Sequence, residues 1–179
     1  MDGVGSCAAR WSPGRRSAWL TLLVLTLSPG LTGAQAATKA SWQGTVTHVT
    51  DGDTLWVRPA GSGPPRQIRL DGMDAPEICQ LHGEASRAVL VARVLGQQVQ
   101  VQVRRSDDYG RLLARVTLRG QDVGAWMVSQ GQAWSYRYRR NAGPYAAQEA
   151  QARSHRRGLF ADARPEPPRD FRKRHGSCH

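Results

Sequence analysis

The sequence has little lysine, few acidic residues and no long apolar stretch. Each shortage limits the classes of protein to which the chain can belong. Lys39 and Lys173 are its two lysines, and 14 acidic residues oppose 25 basic ones, so the formal net charge is +11. Arginine therefore carries the excess, and its planar guanidinium suits bidentate contact with phosphate. This balance favours a polyanionic partner. No apolar run reaches the ~20 residues of a membrane span, and no internal repeat is visible.

The first 36 residues have the pattern of an export signal. Three arginines precede a short apolar run over residues 18–27, and Ala34-Gln35-Ala36 fits a cleavage site of small residues. A retained N-terminal anchor is the alternative. Cleavage after Ala36 would leave 143 of the 179 residues and, by removing three basic residues and one acidic residue, a charge of +9. That length suffices for one domain. We expect a periplasmic or secreted protein with no stable membrane association.

Cysteine is also scarce, and its positions agree with export. Cys7 lies in the signal, which leaves Cys79 and Cys178. An even pair in an oxidising compartment favours one disulfide between an early loop and the C-terminal tail. Two free thiols are an alternative. A metal site formed by His175, Cys178 and His179 is another, although it lacks a second pair of ligands.

The apolar pattern predicts five strands and three helices. Alternation marks the strands, and helical spacing with glycine stops marks the helices. The order β-β-β-α-β-β-α-α, with a helix between the third and fourth strands, predicts a five-stranded Greek-key OB-fold barrel with three α-helices. The domain would span residues 37–162, and residues 163–179 would form an extended, Pro-rich, basic tail. The predicted strands are 42–49, 54–58, 66–70, 98–103 and 111–118, and the helices 84–95, 123–131 and 145–157.

Four acidic residues fall in two adjacent turns. Asp51 and Asp53 flank Gly52, and Asp74 and Glu77 follow the third predicted strand. A tight Asp-Gly hairpin needs only one Asp, and any one of the four alone is explained as a turn residue. If the two turns meet at one end of the barrel, however, two carboxylates with a backbone carbonyl and water would form an oxygen site for Ca²⁺ or Mg²⁺.

Two arginines lie beside these turns and change the interpretation. Arg69 precedes the second turn, and Arg111 opens the last predicted strand. Either arginine taken alone is explained as a solvated surface charge. With a cation to bind a phosphate oxygen and a base to activate water, guanidinium groups could stabilise charge developing on phosphorus. The four acidic residues and the two arginines together are the groups that phosphodiester hydrolysis requires.

Three blocks of the sequence resemble the signature blocks of the staphylococcal nuclease family. They are Asp51-Gly-Asp-Thr54, Arg69-Leu-Asp-Gly-Met-Asp-Ala-Pro-Glu77 and Asp108-Tyr-Gly-Arg-Leu-Leu-Ala114, and the likeness runs from about Trp42 to Phe160. The resemblance implies an OB-fold, Ca²⁺-dependent nuclease that hydrolyses DNA and RNA and leaves 3′-phosphate ends. Single strands expose bases and phosphates together, so we expect them to be preferred, with little sequence specificity.

The resemblance also implies a role for each matching residue. The Ca²⁺ ligands would be Asp53, Asp74 and the backbone carbonyl of Ala75, with Asp51 in an outer shell. Glu77 is similar to the residue proposed as general base. Arg69 and Arg111 would bind phosphate, and Tyr109, Tyr136 and Tyr138 would form the nucleotide pocket.

The sequence departs from the family at three places, one of which is the segment ahead of Tyr136, one residue shorter than in the family. Residues 78–83 are shorter than the family loop and contain no lysine, and Asp108 replaces a lysine often found before the pocket tyrosine. The latter two departures predict a weaker grip on a terminal phosphate. The rival function is a non-catalytic OB module that binds nucleic acid or another polyanion, and a structural envelope protein is a third interpretation. We expect a monomer.

Overall fold

A computed structural model describes residues 41–138 and 140–178. The export signal expected in residues 1–36 lies outside them. None of the helices in the described ranges is long and apolar enough to cross a membrane. In chain order the elements are β1 (Ser41–Val49), β2 (Thr54–Pro59), β3 (Arg66–Leu70), β4 (Met73–Asp74), α1 (Gly83–Val94), β5 (Gln98–Ser106), β6 (Leu112–Leu118), β7 (Gln121–Asp122), α2 (Val123–Ser129), β8 (Trp134–Ser135), α3 (Ala146–Ser154), a 3₁₀ helix (Gly158–Ala161) and α4 (Pro168–His175).

Five strands close into a barrel. The sheet order is β3-β2-β1-β5-β6 with antiparallel neighbours, and a parallel pairing of β3 with β6 joins the two edges. Irregular registers at Val46/His48 in β1 and at Val103/Arg105 in β5 interrupt the ladders. Bulges of this kind bend strands enough to close a small barrel. The predicted five-stranded OB-fold architecture is confirmed.

The barrel interior is filled by alternate residues of these strands. In β6, for example, every second residue from Ala114 to Leu118 is buried. Helices α1 and α2 contribute Leu90 and Met127 to the same core. Burying each large aliphatic side chain stabilises the fold by about 1.5–3 kcal/mol. The barrel is therefore a rigid support for the loops at its ends.

The hairpin between β1 and β2 forms as predicted, but its turn is longer than a two-residue Asp-Gly turn. The Thr50 N–H donates to the Thr54 carbonyl oxygen at 2.9 Å. Gly52 does not have a positive φ, and glycine is needed there because a side chain would not fit. A Cβ there would overlap the Ser86 hydroxyl and lie 2.7 Å from the Ala75 Cβ. This close approach brings the first acidic turn against the second.

The C-terminal tail differs from the prediction. The sequence predicts an extended stretch over residues 163–179, yet Pro168–His175 form helix α4. Proline is well tolerated in a first helical turn, because its φ is already helical and its missing N–H would have had no partner there. The rings of Phe171 and His175, four residues apart, lie 4.6 Å from each other and support this helix.

A buried carboxylate holds the segment that follows β8. Glu149 of α3 is 1% exposed and accepts hydrogen bonds from the Ser135 N–H at 2.9 Å, Arg137 at 2.7 Å and Arg153 at 2.8 Å. Tyr136 lies between two of these donors in the sequence. The carboxylate therefore fixes the position of Tyr136 as well as stabilising the helix packing.

Replacing Glu149 with Gln is expected to lower the free energy of unfolding by about 2–4 kcal/mol, because a buried charge-assisted network loses its acceptor charge. Chemical denaturation of the two proteins measures this difference. The matched control is Glu84→Gln, since Glu84 is exposed and pairs with Arg87 at 3.7 Å, where about 0.5 kcal/mol or less is expected. Equal effects of the two substitutions would contradict the assigned role.

Candidate active site

The two acidic turns meet at one end of the barrel and line a cleft of about 590 Å³. The third sequence block forms the opposite wall, and the C-terminal tail forms one side. Most of the predicted site residues therefore come together. Those that line the cleft are Asp51, Asp53, Arg69, Ala75, Glu77, Tyr109, Arg111, Tyr136 and Cys178, whereas Asp74 lies behind its surface.

Asp53 immediately precedes β2, and it is buried, with 3% of the residue exposed. Its Oδ1 accepts hydrogen bonds from the Thr54 hydroxyl at 3.0 Å and from Arg69 Nη1 at 2.8 Å. Its Oδ2 accepts from the Ala75 N–H at 3.2 Å. The first acidic turn is thus bonded directly to β3 and to the second turn.

Asp74 is the second buried carboxylate, 6% exposed, and it shares a partner with Asp53. Arg69 donates through Nη2 to Asp74 Oδ1 at 2.9 Å while its Nη1 holds Asp53. The Asp53 charge is the main reason that the pKa of Arg69 rises above its ordinary value. Burial raises the pKa of Asp74. One guanidinium therefore draws the two carboxylates together.

Asp51 supports the turn from the side. Its Oδ1 accepts from the Asp53 N–H at 2.9 Å, an Asx-turn that orients the backbone of Asp53. Burial, with the adjacent Asp53 charge, raises the pKa of Asp51 to about 7. Asp51 therefore has a structural role in the turn, and its outer-shell role stays a prediction.

Glu77 faces the cleft from a short loop, residues 75–82, which we call the Glu77 loop. Gln80, itself buried, accepts from the Glu77 N–H through Oε1 at 3.1 Å, and its own N–H donates to the Glu77 carbonyl oxygen at 2.9 Å. Gly83 closes the loop, since a Cβ there would overlap the Glu77 carbonyl oxygen. The backbone beneath the carboxylate is therefore held on both sides.

Arg111 reaches the cleft from the turn before β6, where Asp107 holds it. Asp107 Oδ2 accepts from Arg111 Nε at 2.7 Å, and Oδ1 accepts from the N–H groups of Arg111 and Tyr109. Although burial acts in the opposite direction, these hydrogen bonds keep the pKa of Asp107 below its ordinary value. Within residues 41–138 and 140–178, neither Nη atom of Arg111 makes a hydrogen bond or ion pair, which suits a phosphate-binding group.

The three predicted nucleotide-pocket tyrosines are placed differently. Tyr109 is 84% exposed, and the Arg111 guanidinium lies 5.4 Å from its ring centroid. Tyr136 is partly exposed and also lines the cleft. Tyr138 does not line the cleft, and its backbone pairs with that of Asn141. The cleft therefore offers two aromatic rings near the arginines.

The oxygen atoms of the site fit a hard divalent cation that takes only a few of its ligands from the protein. Asp53 and Asp74 supply carboxylate oxygens close together, and Ala75 lies between them and Glu77. Within residues 41–138 and 140–178, no group of three or more His, Cys, Asp or Glu side chains is placed to hold a metal ion. Two carboxylates and one carbonyl would leave further positions to water and substrate, which oxygen-preferring Ca²⁺ and Mg²⁺ accept.

The disulfide predicted from the cysteine pattern is present. Cys79 of the Glu77 loop is bonded to Cys178, and their Cα atoms lie 5.9 Å apart. The alternatives of two free thiols and of a metal site that includes Cys178 do not apply to this structure. The bridge joins the tail to the loop that carries Glu77.

Sequence reasoning missed one residue of the site, Arg172. This side chain of α4 donates to both oxygens of Asp74, at 3.0 and 3.2 Å, and to Glu77 Oε1 at 2.8 Å. It lies in a run of basic residues typical of a solvated tail, so no local signal marked it. Only the cysteine pair indicated that this part of the chain returns to the site.

Comparison with known proteins agrees with the geometry. Residues 67–162 match a family model described as "Staphylococcal nuclease homologue". This segment includes Arg69, Asp74, Glu77 and Arg111 and begins after the turn that contains Asp53.

Several curated relatives extend the similarity over more of the chain. An "Uncharacterized endonuclease" of Escherichia coli O157:H7 is 36% identical over 136 residues, which cover 75% of this chain and 88% of the relative. A "Micrococcal nuclease" of Shigella flexneri is 34% identical over 147 residues, or 75% and 82% of the two chains. An "Uncharacterized endonuclease" of Haemophilus influenzae is 33% identical over 128 residues, covering 72% and 71%.

Proposed function

The chain belongs to the staphylococcal nuclease family and is an enzyme that hydrolyses phosphodiester bonds, and we propose that it is an exported, Ca²⁺-dependent endonuclease acting on DNA and RNA. The observation that supports this most directly is the convergence of three distant sequence blocks on one cleft. Asp53, Arg69, Glu77 and Arg111 all line it. A pure binding module would not need a carboxylate held at the same place as two arginines.

The arginines would bind the phosphate. Arg69 lies on β3, and Arg111 immediately precedes β6, the strand that pairs with β3 in a parallel register in which Arg69 is opposite Leu113. Guanidinium groups placed in advance stabilise the charge that develops on phosphoryl oxygens, and they do so without reorganising during the reaction. Asp107 keeps Arg111 in place through its Nε, so that the remaining N–H groups can reach a phosphate.

Glu77 would accept a proton from the attacking water. Its carboxylate lies at the cleft surface on a loop whose backbone is held by Gln80. A carboxylate in that position can also orient the water along the line of attack. The family resemblance implies departure of the 5′ oxygen, which leaves a 3′-phosphate on the upstream product.

Asp53, Asp74 and the Ala75 carbonyl would hold the Ca²⁺ ion. When bound, this ion would polarise a non-bridging phosphate oxygen. Extracellular Ca²⁺ reaches the millimolar range in which modest-affinity sites are filled, which agrees with export.

The cleft walls suggest the substrate preference. Tyr109 and Tyr136 can stack on unpaired bases beside the phosphate-binding arginines. Stacking does not depend on base identity, so we propose little sequence specificity and a preference for single strands or frayed ends. The enzyme would accept both the deoxyribose of DNA and the ribose of RNA.

Export is supported by the N-terminal pattern and by the bridge between Cys79 and Cys178, because disulfides persist in oxidising compartments. We propose a periplasmic or secreted location, cleavage after Ala36, and a monomer without stable membrane association.

The test uses the chain from residue 37 onward, with its disulfide intact, on single-stranded DNA, duplex DNA and RNA of equal length. Cleavage is expected with Ca²⁺, fastest on the single strands, to stop when the ion is chelated and to resume when excess Ca²⁺ is added. The products should carry 3′-phosphates, which prevent polymerase extension until a phosphatase removes them.

Cleavage at the same rate in the presence of chelator would contradict the proposed cation dependence. Products that a polymerase extends without phosphatase treatment would contradict the proposed direction of bond cleavage. A preparation with the disulfide intact but no cleavage of any of the three substrates would contradict the proposed function as a whole.

A further inference from the structure

The C-terminal tail is tied to the Glu77 loop at several points. The bridge from Cys79 to Cys178 joins the middle of the loop to the end of the tail. Gln80 Nε2 donates to the Glu166 carbonyl oxygen at 2.7 Å, from the same buried side chain that holds the Glu77 backbone. At the C-terminal end of the loop, His82 Nε2 lies 2.7 Å from Oδ2 of Asp162, the residue just before the tail. Helix α4 is therefore fixed over the loop from both sides.

This fixed helix places one guanidinium on the acidic residues of the site. Arg172 Nη2 lies 3.0 Å from Asp74 Oδ2, and Nη1 lies 3.2 Å from Asp74 Oδ1 and 2.8 Å from Glu77 Oε1. Both oxygens of Asp74 are engaged. The Arg172 side chain is 28% exposed and that of Asp74 is 8% exposed, so the pair is partly shielded from solvent.

A guanidinium in this position and a divalent cation on Asp74 compete for the same negative charge. Each cation neutralises the carboxylate, and two positive charges within a few ångströms repel each other strongly where water is partly excluded. Because the tail is tied to the loop, the arginine acts at a high effective concentration and is not lost by diffusion. The tail therefore opposes cation binding from within the molecule.

We propose that Arg172 is an internal counter-cation that competes with the divalent cation for Asp74 and Glu77, and that the bridge between Cys79 and Cys178 maintains this competition by holding α4 over the Glu77 loop. The inference rests on the proposed function, because it takes Asp74 as a cation ligand. It adds that the tail sets the cation concentration at which the enzyme becomes active.

The test measures Ca²⁺ affinity directly by titration calorimetry on the chain from residue 37 onward. The variant Arg172→Gln removes the charge and leaves a shorter polar side chain, and the Kd for Ca²⁺ is expected to fall by about fivefold or more, within the range of ordinary coupling between sites. The matched control is Arg169→Gln, which removes the same charge from an exposed position of the same helix. Its Kd should stay within about twofold, because an exposed charge on a mobile side chain is strongly screened.

A second variant tests the role of the bridge. Replacing both Cys79 and Cys178 with Ser should tighten Ca²⁺ binding in the same direction as Arg172→Gln. Adding Arg172→Gln to that variant should then have a smaller effect than it has in the bridged protein, since the tail is no longer held. Circular dichroism and melting curves of each variant show whether the fold is retained.

Several outcomes would overturn the inference. If Arg172→Gln leaves the Kd for Ca²⁺ unchanged or weakens binding, Arg172 does not compete with the cation. If affinity is unchanged and kcat at saturating Ca²⁺ falls tenfold or more, the arginine acts on the substrate instead. If the unaltered protein cleaves without any cation but Arg172→Gln still tightens Ca²⁺ binding, the proposed function is contradicted and the inference is not. No Ca²⁺ binding by any variant would contradict both.

Discussion

Replacing Glu77 with Gln is expected to slow phosphodiester cleavage by about 10²-fold or more, because an amide cannot accept the proton of the attacking water. The loss should appear in kcat at saturating Ca²⁺. Single-strand affinity should change little, since binding depends on the arginines and tyrosines of the cleft. Initial rates on a fluorescent single-stranded oligonucleotide, with anisotropy for binding, separate the two quantities.

The control for this substitution is Glu84→Gln, which changes an exposed carboxylate on the neighbouring helix α1. Its rate should match that of the unaltered protein. The Glu77 N–H donates to the Gln80 side chain, and the Glu77 carbonyl oxygen accepts from the Gln80 N–H. Neither bond involves the Glu77 carboxylate, so the loop should keep its shape in the variant. A Glu77→Gln enzyme that retained kcat within about threefold would exclude general-base catalysis by this residue.

Replacing Arg69 with Gln is expected to reduce kcat/KM by about 10²–10³-fold, the usual cost of removing a donor that stabilises transition-state charge. This variant should also reveal the second role of Arg69. The residue bridges Asp53 and Asp74, so its loss leaves two buried carboxylates close together and destabilises the protein by about 2–4 kcal/mol when no divalent cation is present.

Added Ca²⁺ should therefore stabilise the Arg69→Gln variant more than it stabilises the unaltered protein. Thermal melting with and without the ion measures this difference. Arg58→Gln is the control, since Arg58 is an exposed arginine of the adjacent strand β2, and it should change neither rate nor melting temperature. Equal Ca²⁺ stabilisation of all three proteins would show that Asp53 and Asp74 are not the carboxylates that bind the cation.

Much of the fold could be predicted because its signals are local. Alternation over residues 66–70 predicted β3 with its observed bounds, and the hairpin from β1 to β2 followed from its turn residues. The tail was the exception. A basic, Pro-rich stretch has no apolar periodicity, so α4 could not be recognised from the pattern around Pro168.

The candidate site was also predictable in large part, because its residues are grouped in short blocks. Asp53, Arg69, Glu77 and Arg111 line one cleft, although their catalytic and binding roles stay predictions. Tyr138, placed with Tyr136 by alternation along an extended segment, does not line that cleft. Such a short segment does not determine the direction of both rings.

The sequence by itself determined the barrel, the family and the chemical character of the cleft, since periodicity, turn residues and motif spacing are properties of short segments. The tertiary structure alone decided how the charges pair. Arg69 holds two carboxylates, Glu149 holds the Tyr136 segment, and Arg172 reaches Asp74 across 98 residues of sequence. Ion pairs depend on distance and shielding from water, which arise only when the barrel, the Glu77 loop and the bridged tail are packed together.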